Sequence, residues 1–362
     1  MNISRRRAIG IGAAALASAV TPARAQTAGA HHAGGYERLK EPGLVPRPPQ
    51  ADQQMVFDSP APKAANPGRW IARAALPLPR SEMAWAAVVR DRMHLVGGYG
   101  EQRVDRPYHH VYDATTDRWI IASPLPLGAN HVGVTELAGR LYAIGGFVEQ
   151  NRKPHAECFV YTEDTNRWQR IAPLPQACGS VACVALNGIL HGIGGAVGDT
   201  FPTKQSVDWH LAYDPKADRW ERRAPLPTGR DHVAALPHAG LIHVIGGRVN
   251  SFLTNSNLHQ VYDPTKDAWS MRNPLPTARS GHGAAILDGR IFVIGGEGSN
   301  RVYGQNEAYD LHKDSWEQYA PMPTPRHGLG AVAIGRSIFV AGGGAVMGGG
   351  IQTSIHEAFT LD

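Results

Sequence analysis

Cysteine is scarce here and odd in number: Cys158, Cys178 and Cys183 are the only three in 362 residues. Three thiols cannot all pair within one chain, so a disulfide framework does not organise the fold. All three fall on or beside expected strands and read as small buried apolar side chains. A Cys158–Cys178 bridge between the second and third repeats is the alternative. The apolar run Ala8–Val20, at 13 residues, is too short to span a bilayer as a stable helix. Excess charge is lacking as well. The chain has 36 basic and 31 acidic residues, but Arg5, Arg6, Arg7 and Arg24 lie in the first 25, which hold no acid. Without that segment 32 basic residues face 31 acidic ones, a balance that gives no footing for nucleic-acid binding. No compact metal-ligand spacing stands out among the histidines.

What the first 25 residues do carry is an address. Ser4-Arg5-Arg6-Arg7 is followed by the apolar run and by Ala23-Arg24-Ala25, a small-x-small cleavage pattern. The arginine run before a weakly hydrophobic stretch resembles a bacterial twin-arginine signal, with an ordinary secretory route as the alternative. The mature protein is expected to be periplasmic or secreted. Residues 26–66 are rich in Ala, Pro, Gln and Gly without hydrophobic period, and read as a disordered or loosely wrapped leader.

From residue 67 the chain is periodic. Glycine pairs occur at 97-98, 145-146, 194-195, 246-247, 295-296 and 342-343, spaced 47 to 52 residues apart. Trp70, Trp119, Trp168, Trp220, Trp269 and Trp316 precede them by 26 or 27 residues. A period of this size means a repeat architecture. Each unit reads as four strands, a to d. An Ala/Gly/Val-rich run turns through a hairpin signal into a second run that ends on the glycine pair; a polar loop leads to Tyr-Asp, and Trp follows Tyr by seven residues in five units. Small residues in strand a suit the crowded axis of a radial array.

The diglycine after a hydrophobic strand, the Tyr-Asp pair and the spaced Trp resemble the Kelch family of β-propellers over residues 70–362. The expected fold is therefore all-β: a six-bladed Kelch β-propeller spanning 67–362. Trp70 has no earlier strand of its own, and the last unit stops at Asp362 without a Trp, so the N-terminal strand is expected to close the last blade and remove exposed edges.

The mouth of the central channel is the expected site, formed by d–a and b–c loops. Arg230, Arg279 and Arg326 fall at one aligned position and Arg80 lies one residue off it; His131, His232, His282 and His327 stand nearby, with Glu82 and Asp231 as candidate acid or base. Guanidinium forks suit carboxylate, sulfate or phosphate, which makes an anionic small molecule such as an acidic sugar, or a protein or peptide partner, the expected ligand. Loop struts are the alternative role for these arginines. A second set, His109, Cys158, His210, His259, Asn306 and His356, recurs once per blade at strand c and reads as structural, such as capping a b–c loop. No cofactor and no metal are expected. The resemblance extends to two enzyme groups: N-acetylneuraminate epimerases, which are exported six-bladed Kelch proteins acting on an acidic sugar, and the copper-dependent galactose oxidases, for which no Cys–Tyr pair can be assigned. A binding protein without assigned chemistry is the leading reading, and a sugar epimerase or mutarotase the alternative.

Overall fold

The computed structural model describes residues 56–83, 85–199 and 203–362, so the signal segment and most of the leader lie outside the described residues. Six four-stranded antiparallel sheets surround one axis. Blade 1 holds Ala87–Val89, Arg92–Val96, His109–Asp113 and Arg118–Ile121 as strands a to d. Blades 2 to 5 repeat the order, with inner strands Gly133–Leu137, Ala182–Leu186, Ala234–His238 and Gly283–Leu287. Blade 6 combines Gly330–Ile334, Ser337–Ala341 and His356–Thr360 with Arg69–Ala72 as its outer strand, Trp70 standing opposite Phe359. The ring is closed by the N-terminal strand, as the missing last Trp implied. Upstream of it, Val56–Asp58 pairs in parallel with Arg301–Tyr303 beside blade 5.

The glycine pairs explain how the blades meet. Both glycines of each pair have positive φ, for example 67° at Gly97 and 89° at Gly98. A Cβ on Gly97 would fall 2.6 Å from the carbonyl oxygen of Ala129 in the next blade. That approach is used: the second glycine of every pair donates its N–H to the next blade. Gly98 reaches Ala129 O, Gly146 Cys178 O, Gly195 Arg230 O, Gly247 Arg279 O, Gly296 Arg326 O, and Gly343 returns to Arg80 O, all at 2.8 to 3.0 Å.

An outer clamp repeats on the other side of the sheets. Each Trp Nε1 donates to a carbonyl just after the previous blade's strand d: Trp119 to Ala74, Trp168 to Ser123, Trp220 to Ala172, Trp269 to Ala224 and Trp316 to Asn273. The amide N–H of that same residue donates to Asp117, Asn166, Asp218, Asp267 or Asp314. The Tyr five residues before each Asp or Asn donates its hydroxyl to the same oxygen. The seven-residue Tyr-to-Trp step sets this geometry, because it places Tyr directly across from Trp in the c–d hairpin. The closing blade departs from it: Trp70 Nε1 still donates, to Ala320 O, but Ala320 N donates to Pro67 O instead of a carboxylate.

The strand-c set is structural, though not as a b–c cap. His109, His210 and His356 use Nδ1 on Ser123 O, Ala224 O and Ala74 O, the carbonyls that also take the next blade's Trp. Their rings stand edge-on to the next blade's Tyr at 4.3 to 4.6 Å. His94, His191 and His243 on strand b back three of the set at 2.8 to 2.9 Å. Cys158, Cys178 and Cys183 are buried free thiols, and burial raises the pKa of each; Cys158 is pushed up to about 12. None of the described helices is long and apolar enough to cross a membrane.

Candidate functional site

Each d–a loop delivers three consecutive residues to the axis, and the three do different work. The first position holds Arg80, Arg230, Arg279 and Arg326 in four blades. Their relative exposure is 0 %, and their guanidiniums turn into their own blades. Each donates to the carbonyl of its own blade's first glycine: Gly97, Gly246, Gly295 and Gly342. A terminal nitrogen of each also meets a side chain of its own blade: His110 in blade 1, Gln260 in blade 4, Glu307 in blade 5 and Glu357 in blade 6. The arginines are struts inside the blades, with no fork left over for an anion in the mouth. The arc of guanidiniums expected from the alignment is thus replaced by a set of keystones. Burial lowers the pKa of Arg80 to about 9 and of Arg230 to about 10.

The second position, Ser81, Asn130, Gly179, Asp231, Ser280 and His327, pairs through backbone with the first residue of each b–c loop: Tyr99, Phe147, Ala196, Arg248, Glu297 and Gly344. The third position faces the axis: Glu82, His131, Ser180, His232, Gly281 and Gly328. All six have positive φ, between 49° and 62°. Backbone bonds link them round the channel, His131 N to Glu82 O, Ser180 N to His131 O, Gly281 N to His232 O and Gly328 N to Gly281 O, at 2.7 to 3.3 Å. Glycine takes this conformation freely, but a side chain costs about 1 kcal/mol or more. Four blades bear that cost and place Glu, His, Ser and His there. Gly328 leaves space for one of them: a Cβ on it would lie 2.6 Å from Glu82 Oε2.

The side chains converge. Glu82 Oε2 lies 2.9 Å from His131 Nε2, and Glu82 Oε1 lies 3.3 Å from His327 Nδ1. His232 Nδ1 donates to Asp231 at 2.5 Å, with Ser180 Oγ at 3.2 Å, and its Nε2 faces Arg248 Nη2 at 2.9 Å. Arg248 also holds Asp231 at 2.9 Å and Glu297 at 3.1 Å. Burial by itself would raise the Glu82 carboxyl, but His327 and His131 outweigh it and hold the group well below the usual range. Asp231 is likewise held low, against burial, by Arg248 and His232. Burial depresses His131, and it takes His232 to about 3. His327 goes the other way, because Glu297 and Glu82 overcome its burial. The Glu82 carboxylate thus lies 3.3 Å from an imidazole whose protonated form is favoured by the carboxylates around it.

The glycine-rich b–c loop of blade 6 covers this cluster. Val346 O accepts from His327 Nε2 and Gly348 N donates to Glu297 Oε2, both at 2.7 Å. Beneath it Trp85 crosses the channel from blade 1 and donates Nε1 to Val233 O of blade 4 at 3.3 Å. Trp85 separates the cluster from a cavity of about 410 Å³ lined by the small residues of the inner strands. His282 lines a void of about 10 Å³ with Glu82, Trp85 and His232, packed against Gly246.

Of the expected site residues, the structure brings Glu82, His131, Asp231, His232 and His327 together, leaves His282 at their edge, and puts the four arginines elsewhere. Sequence reasoning missed Trp85, Ser180, Arg248 and Glu297. For the last two a signal existed: both directly follow a glycine pair, the position that begins each b–c loop.

The comparisons agree with this architecture. Residues 131–343, more than half of the chain, match the family described as the KLHDC2/KLHL20/DRC7 Kelch-repeats domain, so the protein belongs to that Kelch-repeat family. A solved structure titled "Structure of YjhT" superposes with a TM-score of 0.66 at 15% identity, covering 78% of this chain and 95% of that one, a likeness of fold. No curated protein matches the sequence.

Proposed function

We propose that this is an exported Kelch-repeat binding protein whose ligand is a hydroxyl-rich small molecule of the sugar type, held at the channel mouth beneath the Gly344–Ile351 loop. The observation that carries the reading is the third axial position. Glu82, His131, Ser180 and His232 occupy strained backbone that glycine would fill without cost, and strain of this kind clusters at active sites and ligand clamps. Their oxygens and nitrogens are donors and acceptors of the kind that read sugar hydroxyls. The buried arginines supply no preference for an anion. The exported location rests on residues 1–25, outside the described residues.

A sugar mutarotase or epimerase is the second reading, and the contact of Glu82 with His327 favours it. Ionised Glu82 can take a proton from an anomeric hydroxyl while protonated His327 delivers one to the ring oxygen, so the ring carbon–oxygen bond breaks and can close on the other face. The test is a thermal-shift screen of the mature protein against neutral and acidic monosaccharides and short acidic peptides, repeated with Glu82→Gln. A sugar that raises the wild-type Tm and not that of Glu82→Gln supports the site. Sugars that bind both alike, or peptide hits alone, remove it. Anomer exchange of the hit followed by NMR then separates binding from turnover.

A further inference from the structure

The axial cluster contains a conflict of lone pairs. Asn130 Nδ2 donates to Asp105 Oδ1 at 2.7 Å and to Phe147 O at 3.0 Å, and the carbonyl, which can only accept, fixes the amide with Oδ1 towards His131. His131 Nδ1 therefore gives its proton to Asn130. In the neutral ring the Nε2 of His131 then carries a lone pair 2.9 Å from Glu82 Oε2, a contact that becomes favourable only when a proton or another cation sits there. An electron-rich nitrogen and a carboxylate oxygen at this distance, both buried, need a positive charge between them.

His232 supplies the third donor. Its Nδ1 proton is committed to Asp231, so its Nε2 also carries a lone pair. One ligand atom from each of Glu82, His131 and His232 lies within 4.8 Å of the other two. Ligands at about 2.0–2.2 Å from a tetrahedral ion stand roughly 3.4 Å apart, so the 2.9 Å Glu82–His131 contact would open slightly while the wider separations close. Both imidazoles already have the partner that metal-bound histidines use to fix tautomer and orientation: Asp231 for His232, and for His131 the Asn130 amide tied to Asp105. Arg248 Nη2 stands 2.9 Å from His232 Nε2, on the lone pair an ion would take, and Asp231 and Glu297 give that guanidinium a place to withdraw to.

We infer that Glu82, His131 Nε2 and His232 Nε2 form a binding site for one divalent transition-metal ion of the zinc class, for which Arg248 is the stand-in cation. Two imidazoles and one carboxylate select such an ion over magnesium or calcium. Three protein ligands leave a fourth position open to water or to a hydroxyl or carboxylate oxygen of a bound molecule. The site goes beyond the sugar reading and does not depend on it, since the ion is measured with no organic ligand present.

The experiment uses untagged, metal-free mature protein. Zn²⁺ is titrated by calorimetry and Co²⁺ by visible absorption. The expected result is one equivalent of Zn²⁺ per chain and the visible bands of four-coordinate Co²⁺. Glu82→Gln and His131→Gln should weaken Zn²⁺ by roughly a hundredfold, while exposed His312→Gln leaves it unchanged. Arg248→Gln should tighten it, because the competing cation is gone. A wild-type protein that takes up no Zn²⁺ overturns the inference: the charge between Glu82 and His131 is then only a proton. So does uptake that the Glu82 and His131 changes leave intact. If those two variants fail to fold, an unchanged or weaker affinity in folded Arg248→Gln overturns it as well.

Discussion

Arg279→Lys separates a strut from a ligand contact. The Arg279 side chain makes four bonds: Nε to Gly295 O and Nη2 to Val293 O at 2.8 Å, Nη1 to Thr277 O at 2.9 Å and to Glu307 Oε2 at 2.5 Å. Its backbone oxygen also takes the N–H of Gly247 from blade 4. A lysine ammonium is a single point and cannot meet acceptors spread around a planar fork. If it keeps Glu307, at least two buried carbonyls lose their partner, at about 1–3 kcal/mol each. If it keeps the carbonyls, Glu307 becomes a buried unpaired carboxylate, at about 3–5 kcal/mol. The loss is then about 2–6 kcal/mol, or roughly 4–12 °C in Tm at about 2 °C per kcal/mol for a domain of this size. Differential scanning calorimetry measures it, with exposed Arg222→Lys as the control. An Arg279→Lys protein with wild-type Tm would refute the strut. One with wild-type Tm but weakened ligand binding would restore the guanidinium to the mouth.

Acid should destabilise the fold through its buried histidines. Burial takes His94 to about 4 and His191 and His243 to about 3, below the ordinary 6.5. The unfolded chain then binds more protons, so stability is full above pH 6.5 and falls as pH drops towards the folded values, by about 2 kcal/mol per histidine at pH 5. A Tm that stays flat from pH 7 to 5 contradicts this. Deleting residues 67–75 removes the outer strand of blade 6 and the Trp70 bond to Ala320; melting should lose its cooperativity, and an unchanged transition would count against closure. Replacing Arg5, Arg6 and Arg7 by Lys should leave the precursor in the cytoplasm, whereas normal export of that variant would reject the twin-arginine route.

The fold was legible because its periodic residues each make one repeated contact. Every glycine pair passes an N–H to the next blade, and the Trp of every strand d passes its Nε1 back to the previous one, so a fixed spacing in sequence is a fixed joint in space. The site was only partly legible. Aligning on the glycine pair found the three d–a positions but not the direction of their side chains. One step along the backbone separates a strut such as Arg230 from an axial group such as His232, and positive φ at the third position turns its side chain to the axis. Trp85 escaped notice because no other blade has an aromatic residue at its position to put it in register. Arg248 and Glu297 enter the cluster only through the curvature of the ring, which brings b–c loops of different blades together.

Hydrogen–deuterium exchange with a saturating sugar hit tests the central claim most directly, because it reports where the ligand lies. Binding at the mouth should slow exchange in the Gly344–Ile351 loop, whose Gly348 N–H holds Glu297, and in the axial segments around Glu82, His131 and His232. Protection confined to the outer strands, with the loop and the axial segments unchanged, would place the ligand elsewhere and contradict the account.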